Sequence, residues 1–285
     1  MKLRKLNREE HSKTRALWEE IFCEDSQKFL DYYYTCKTSE NEIYVIEEEG
    51  QLVSMLHLNP YQMRIKHEIY PTHYIVAVAT KEAYRGRGYM RALLEHVLKV
   101  MTERGEPFTF LMPASPAIYE PFGFAYIYEQ RQEYVIGKKY VIKGLQFTDA
   151  TVEECTEIAD FANSLLAECD VVTWRDASYY EMLLAEQKSE QGGILLARRE
   201  GQLVGAFCYA PDETLEDARM MLREPLCYDR EVLEAAVYQL THSEEEQVFC
   251  IGFGEMTKPM IMARILHPEM AENLEQAAVF LNEIV

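Results

Sequence analysis

The sequence predicts an α/β protein of the α+β kind, a mixed central sheet flanked by helices and followed by a second domain of similar plan. Three observations carry this. Tyr74 to Thr80, YIVAVAT, is a short, almost unbroken apolar run with β-branched members, the mark of a strand covered on both faces. A glycine- and arginine-containing loop, YRGRGYMR (84–91), follows it and opens into an amphipathic stretch. The segment EGQLV occurs twice, at 49–53 and 200–204, each time after a mostly helical stretch. A chain of 285 residues also exceeds one comfortable core.

In chain order, Ala16, Leu17, Ile21 and Phe22 fall at helical spacing, and SQKFLDYYYT (26–35) predicts a second short helix. The two apolar runs within 41–65 flank Glu49-Gly50-Gln51 and predict a hairpin. After the glycine loop, Met90, Leu93, Leu94, Val97, Leu98 and Met101 follow the i, i+3, i+4, i+7 pattern of an amphipathic helix. Gly105 and Pro107 end it, and FTFLM predicts the next strand. The second EGQLV reads as another hairpin. It leads through DARMMLREPLC into a helix, DREVLEAAVYQL, with no glycine-arginine loop between them. The repeated motif is compatible with internal duplication and with chance. Residues 258–285 read as strand, short helix, strand.

A net charge of −19 argues against nucleic acid and anionic membrane as partners, since both require a positive field; a cationic substrate would be attracted. Seven cysteines without a CxxC pair or a Cys/His cluster at zinc spacing read as reduced thiols, with no metal site. No window approaches ~18 uninterrupted apolar residues, and the first residues lack a signal-peptide core. A cytoplasmic location is expected.

The loop carries the chemistry. A glycine turn at a helix start aims unpaired backbone N–H groups and the positive end of the helix dipole at one point, which favours phosphate. Arg85, Arg87 and Arg91 add charge, and Gly86 and Gly88 let the backbone come close. The loop matches neither GxxxxGK[ST] nor GxGxxG, and RGRG alone is equally a solvated basic turn.

Its surroundings decide. VATKEAYRGRGYMRALL (78–94) resembles motif A of the GNAT N-acetyltransferases, a valine followed after five residues by (Y/F)-(R/Q)-x-x-G-x-(G/A) and an amphipathic helix. MPASPAIYEPFGF (112–124) resembles the GNAT motif ending in Y-x-x-x-G-F, one strand beyond the helix. The resemblance covers most of residues 1–140. It implies that Val78, Ala79 and Thr80 pair with the pantetheine arm of acetyl-CoA, and that Gly86, Arg87, Gly88, Tyr89, Met90 and Arg91, with Arg85, hold its phosphates. Met90 departs from the usual Gly or Ala. A large aliphatic residue followed by Arg, with Ala114-Ser115 ahead of the tyrosine, is similar to acetyltransferases of the Eis (enhanced intracellular survival) branch. That branch implies a catalytic GNAT domain at 1–140, a GNAT-like domain without a cofactor cradle at 141–255, and a shortened sterol-carrier-like piece at 256–285.

By the same resemblance, Tyr119 is the general acid that protonates the coenzyme A thiolate, and the C-terminal carboxylate of Val285 is a candidate base. Glu120, His73 or a water chain are alternatives. The implied activity is acetyl-CoA-dependent N-acetylation of a primary amine, on a small polycation or a lysine. The alternative is a non-catalytic acyl-CoA-binding regulatory protein. A homo-oligomer is left open. Tyr126, Tyr128, Trp174, Tyr179 and Tyr180 read as packing residues, and the glutamate runs 47–49 and 244–246 as solvated turns.

Overall fold

The computed structural model describes residues 1–140, 142–270 and 278–281. Two compact units divide the chain: Met1–Tyr128 joined by the stretch that begins at Met260, and Glu129–Pro259.

In the first unit, β1 (Lys2–Lys5) is followed by α1 (Arg15–Ile21) and α2 (Gln27–Thr35). Ser26 caps α2 by accepting the Phe29 amide, 3.0 Å. Helix α2 buries Phe29, Leu30, Tyr32 and Tyr33, and Trp18 of α1 lies 4.5 Å from the Tyr33 ring. Strands β2 (Glu42–Glu48) and β3 (Gln51–Ile65) form the expected hairpin. Glu49 and Gly50 both have positive φ, 52° and 78°, the twist of a type I′ turn. Strand β4 (Glu68–Thr80) is longer than its apolar core suggested, because its hairpin with β3 continues out to Ile65↔Glu68. Lys66, at φ 56°, makes that turn without a glycine to announce it. Then come α3 (Tyr89–Glu103), β5 (Phe108–Leu111), the single turn α4 (Pro116–Tyr119) and β6 (Ala125–Ile136). Helix α3 buries Leu93, Leu94, Val97, Leu98 and Met101 on the anticipated face.

The second unit runs β7 (Leu145–Asp149), α5 (Cys155–Leu165), β8 (Val171–Thr173), α6 (Ala177–Ser189), β9 (Gly193–Arg199), β10 (Gln202–Pro211), β11 (Met220–Cys227), α7 (Arg230–Thr241) and β12 (Gln247–Ile251). Strand β13 (Met256–Ile265) follows. The β9–β10 turn at Glu200 and Gly201 has φ 52° and 84°, the same turn as at Glu49-Gly50. The strand orders of the two units also match, β1-β2-β3-β4-β5-β13 in the first and β7-β9-β10-β11-β12-β6 in the second. The residues of the anticipated C-terminal piece thus include a strand that pairs with β5 through Met262↔Leu111 to Ile265↔Phe108.

Each unit has a polar group deep in its core. In the first, His57, Tyr33 and Asn59 are fully buried. The Tyr33 hydroxyl meets His57 Nδ1 at 3.2 Å, donates to Asn59 Oδ1 at 3.1 Å and accepts from Asn41 Nδ2 at 2.9 Å. Burial, with His11 nearby, lowers the His57 pKa to about 3. In the second, Arg175 Nε donates to Glu224 Oε1 at 2.8 Å, the Tyr180 hydroxyl donates to the same oxygen at 2.9 Å, and Arg175 Nη1 reaches the Thr173 carbonyl at 2.7 Å. Tyr180 thereby packs the second unit's core, as its sequence context suggested.

Two outcomes are expected. Neutral His57 must gain a proton to match the unfolded chain, so its contribution is complete above about pH 6.5 and is lost as pH falls toward 3, at up to ~1.4 kcal/mol per pH unit. Urea unfolding across that window should flatten in a His57→Gln variant. Arg175→Met, which strands a buried carboxylate, should cost ~3–5 kcal/mol in the same assay, and adding Glu224→Leu should restore most of it.

Candidate active site

The site is a parting of two strands. Parallel strands β4 and β5 are in register at Tyr74↔Phe110. Strand β5 ends one residue later, at Leu111, while β4 runs on to Thr80. Beyond Tyr74 no strand among the described residues is laddered to that edge of β4, so its peptide groups are available to an extended ligand. A bulge lies in the same stretch. Met55 pairs with Ala79 and His57 with Val76, leaving Ala77 and Val78 opposite Leu56. Ala77 has φ 52°, which a side chain of its kind adopts at a cost of about 1–2 kcal/mol. Past the bulge the strand is tied back to β3: Ser54 Oγ donates to the Ala79 carbonyl at 2.9 Å and lies 2.7 Å from Thr80 Oγ1.

The glycine loop follows. Gly86 and Gly88 have φ 76° and 80°, and a Cβ on either would meet no protein atom within 4 Å. That open space is where a ligand can touch backbone. Gly88 caps α3, and the first helical bond is Ala92 N to Gly88 O at 3.0 Å. The amides of Tyr89, Met90 and Arg91 therefore lack intrahelical acceptors. Arg85 Nε donates to the Thr80 carbonyl at 3.3 Å. Arg87 stacks 4.7 Å from the Tyr84 ring centroid and donates to the Ala83 carbonyl at 3.2 Å. All three arginines of the loop are exposed, Tyr89 is buried and Met90 is half-buried.

The glutamate run at 47–49 is not simply a solvated turn. Glu47 accepts from Arg4 Nη2 at 2.7 Å. Glu48 accepts from Arg87 Nη1 at 3.4 Å and from the Tyr89 hydroxyl. The hairpin turn thus tethers the loop, across residues 41 apart for Tyr89. Periodicity could not have found Glu48, because its partners are set by sheet topology.

Tyr119 closes the short helix α4, whose cap residue is Ser115, extended at φ −152° and followed by Pro116. Ala114 is exposed and Ser115 half-buried. The Tyr119 hydroxyl makes no hydrogen bond among the described residues, and burial pushes its pKa up to about 12. The loop and this turn adjoin: the Arg91 guanidinium lies 5.0 Å from the ring centroid of Phe122, three residues after Tyr119. Of the alternative bases, His73 is engaged, its Nδ1 2.9 Å from buried Glu106. It also precedes Tyr74, on the paired side of the strand parting. Glu120 is exposed, and Val285 lies outside the described residues.

The corresponding turn of the second unit carries Tyr228 and Asp229 between β11 and α7, without glycine. Asp229 and Glu231 place carboxylates at the helix start, where they repel phosphate. Arg230 is spent on Glu133, with two contacts of 2.7 Å, and on Glu234 at 3.0 Å.

Comparison with known proteins bears on the family and the fold. Residues 2–127 match the family model described as an acetyltransferase (GNAT) domain, so this part of the chain is similar to that family. In fold the chain is similar to several solved structures. Over 95% of its length it is similar to Eis1 from Mycobacterium abscessus, at 14% identity and TM-score 0.65 with 75% of that chain covered. It is similar over 95% to a probable N-acyltransferase from Enterococcus faecalis V583, at 17% identity and TM-score 0.78 with 74% of that chain covered. A tandem GNAT protein from the clavulanic acid biosynthesis pathway aligns over 94% of this chain and 99% of its own, at 14% identity and TM-score 0.60. No curated protein sequence matches. No helix among the described residues is long and apolar enough to cross a membrane.

Removing the tether should be visible without any ligand. Glu48→Ala and Tyr89→Phe should each lower unfolding free energy by about 1 kcal/mol, and the double variant should lose less than the sum.

Proposed function

We propose that the chain transfers the acetyl group of acetyl-CoA to a primary amine, on a small polycationic molecule or a lysine, and that the first unit alone holds the coenzyme. The observation that carries this is the unpaired edge of β4 leading directly into the glycine loop. The pantetheine arm lies as an extra strand along Val78, Ala79 and Thr80. The loop and the amides of Tyr89, Met90 and Arg91 receive the pyrophosphate, and the arginines balance its charge. Ala114 and Ser115 flank the approach to Tyr119. The net charge of −19 draws cationic amines.

The reaction is an attack of the neutral amine nitrogen on the thioester carbonyl. The C–N bond forms, the C–S bond breaks, the sulfur leaves with its electron pair, and the nitrogen passes its extra proton to water, which also restores the proton that Tyr119 gives up. A β4 backbone N–H polarises the carbonyl. Tyr119, with its pKa raised to about 12, stays protonated at working pH and donates to the departing thiolate. The same burial disfavours a free thiolate, so expulsion and protonation run together. His73, held by Glu106, takes no part in this reading.

Release of free thiol from acetyl-CoA, followed across polyamines, aminoglycosides and lysine peptides, tests the proposal. Tight acetyl-CoA binding without amine-dependent thiol release would instead identify a coenzyme-binding regulatory protein. Tyr119→Phe is expected to lower kcat by roughly 10²–10⁴-fold with the acetyl-CoA Kd unchanged, and Gly88→Ala to weaken Kd.

A further inference from the structure

The turn behind Tyr119 is gripped by a residue 142 positions from it in the chain. Arg264 stands on β13 opposite Thr109 of β5, so the sheet fixes its backbone. Its Nη1 donates to the carbonyl oxygen of Phe122. That carbonyl belongs to the 3-10 turn Glu120–Phe122, which follows α4 without a break. Gly123 admits the guanidinium: its φ is 80°, and a Cβ there would stand 2.8 Å from Arg264 Nη1. From the other side, Arg91 lays its guanidinium on the Phe122 ring. Arg91, Pro121, Phe122 and Arg264 line one groove of about 410 Å³.

Two features show that this grip is not incidental packing. Arg264 Nε is buried with no hydrogen-bond partner among the described residues, so the guanidinium is held through its Nη1 bond to the turn. A four-residue helix also cannot hold its own geometry; the bonds within its turn are few, and Phe124 N to Tyr119 O is long at 3.4 Å. External contacts therefore decide where the phenol stands.

We propose that Arg264 is a positioning residue for Tyr119, fixing the turn so that the hydroxyl is presented to the leaving sulfur. The catalytic meaning of this grip rests on the reading of Tyr119 as the acid; the grip itself does not, and the two can be tested separately. The ligand-free protein, with 13Cζ-labelled tyrosine and the Tyr119 resonance assigned through Tyr119→Phe, is titrated at high pH. The phenol is expected to titrate near 12 in the native chain. In Arg264→Met the loosened turn admits water, and the midpoint should fall at least tenfold in proton affinity toward the ordinary tyrosine value. Arg264→Lys, which keeps the charge without the planar fork, should fall in the same direction and serves if the methionine variant does not fold. An unchanged midpoint in a folded Arg264 variant overturns the proposal. With spermidine as the probe amine, Arg264→Met should slow thiol release roughly ten- to a hundredfold at unchanged acetyl-CoA Kd, with no further loss in a Tyr119→Phe background. Equal slowing in both backgrounds overturns the positioning role. Thiol release unaffected by Tyr119→Phe overturns the acid assignment and leaves the titration result standing.

Discussion

The separation of β4 from β5 after a single registered pair is the constraint on which the rest of the first unit depends. A sheet ordinarily satisfies its backbone groups strand by strand, and a gap within it leaves N–H and C=O groups without partners. Here the gap is shaped by a bulge at Ala77, by the early end of β5 at Leu111 and by the Ser54 tie that anchors β4 beyond the bulge. The backbone strain at Ala77 is offset by a hairpin that pairs β3 with β4 from Ile65 to Ser54. A groove lined with main-chain groups suits a ligand that is itself a chain of amides.

Around this groove the loop is held by charge and by aromatic faces. A loop of exposed arginines at a helix N-terminus repels itself and the dipole, and would stay open without counterweights. Glu48 supplies one from the β2–β3 turn. The Tyr84 ring supplies another under Arg87, and the Phe122 ring a third under Arg91. Aromatic faces hold a guanidinium without neutralising it, which leaves its charge for an incoming anion.

Much of this was legible in the residues, for identifiable reasons. The helix after the loop and the hairpins at Glu49-Gly50 and Glu200-Gly201 announce themselves through local periodicity and turn residues, whereas the type of their turns shows only in the backbone angles. The loop glycines are visible because backbone conformation dictates their identity. The turn at Lys66, the bulge at Ala77 and the tether at Glu48 were not legible. Lys66 and Ala77 adopt positive φ without glycine, and Glu48 acts on partners brought near only by the sheet. Arg264 is the extreme case, an ordinary strand residue by pattern whose partner lies in a turn 142 residues earlier.

The placement of β13 beside β5 bears on the order of events during synthesis. The fifth strand of the first unit has its outer edge covered only by residues from 262 onward, and β6, which leaves the first unit, pairs with β12 at residues 247–251. A ribosome that has released the first 140 residues has made β4, the glycine loop and the Tyr119 turn, yet β5 still presents a bare edge open to pairing with other chains. The first unit therefore cannot complete its sheet from its N-terminal residues alone. Gene truncation at the apparent midpoint removes the strand that completes the half it was meant to isolate.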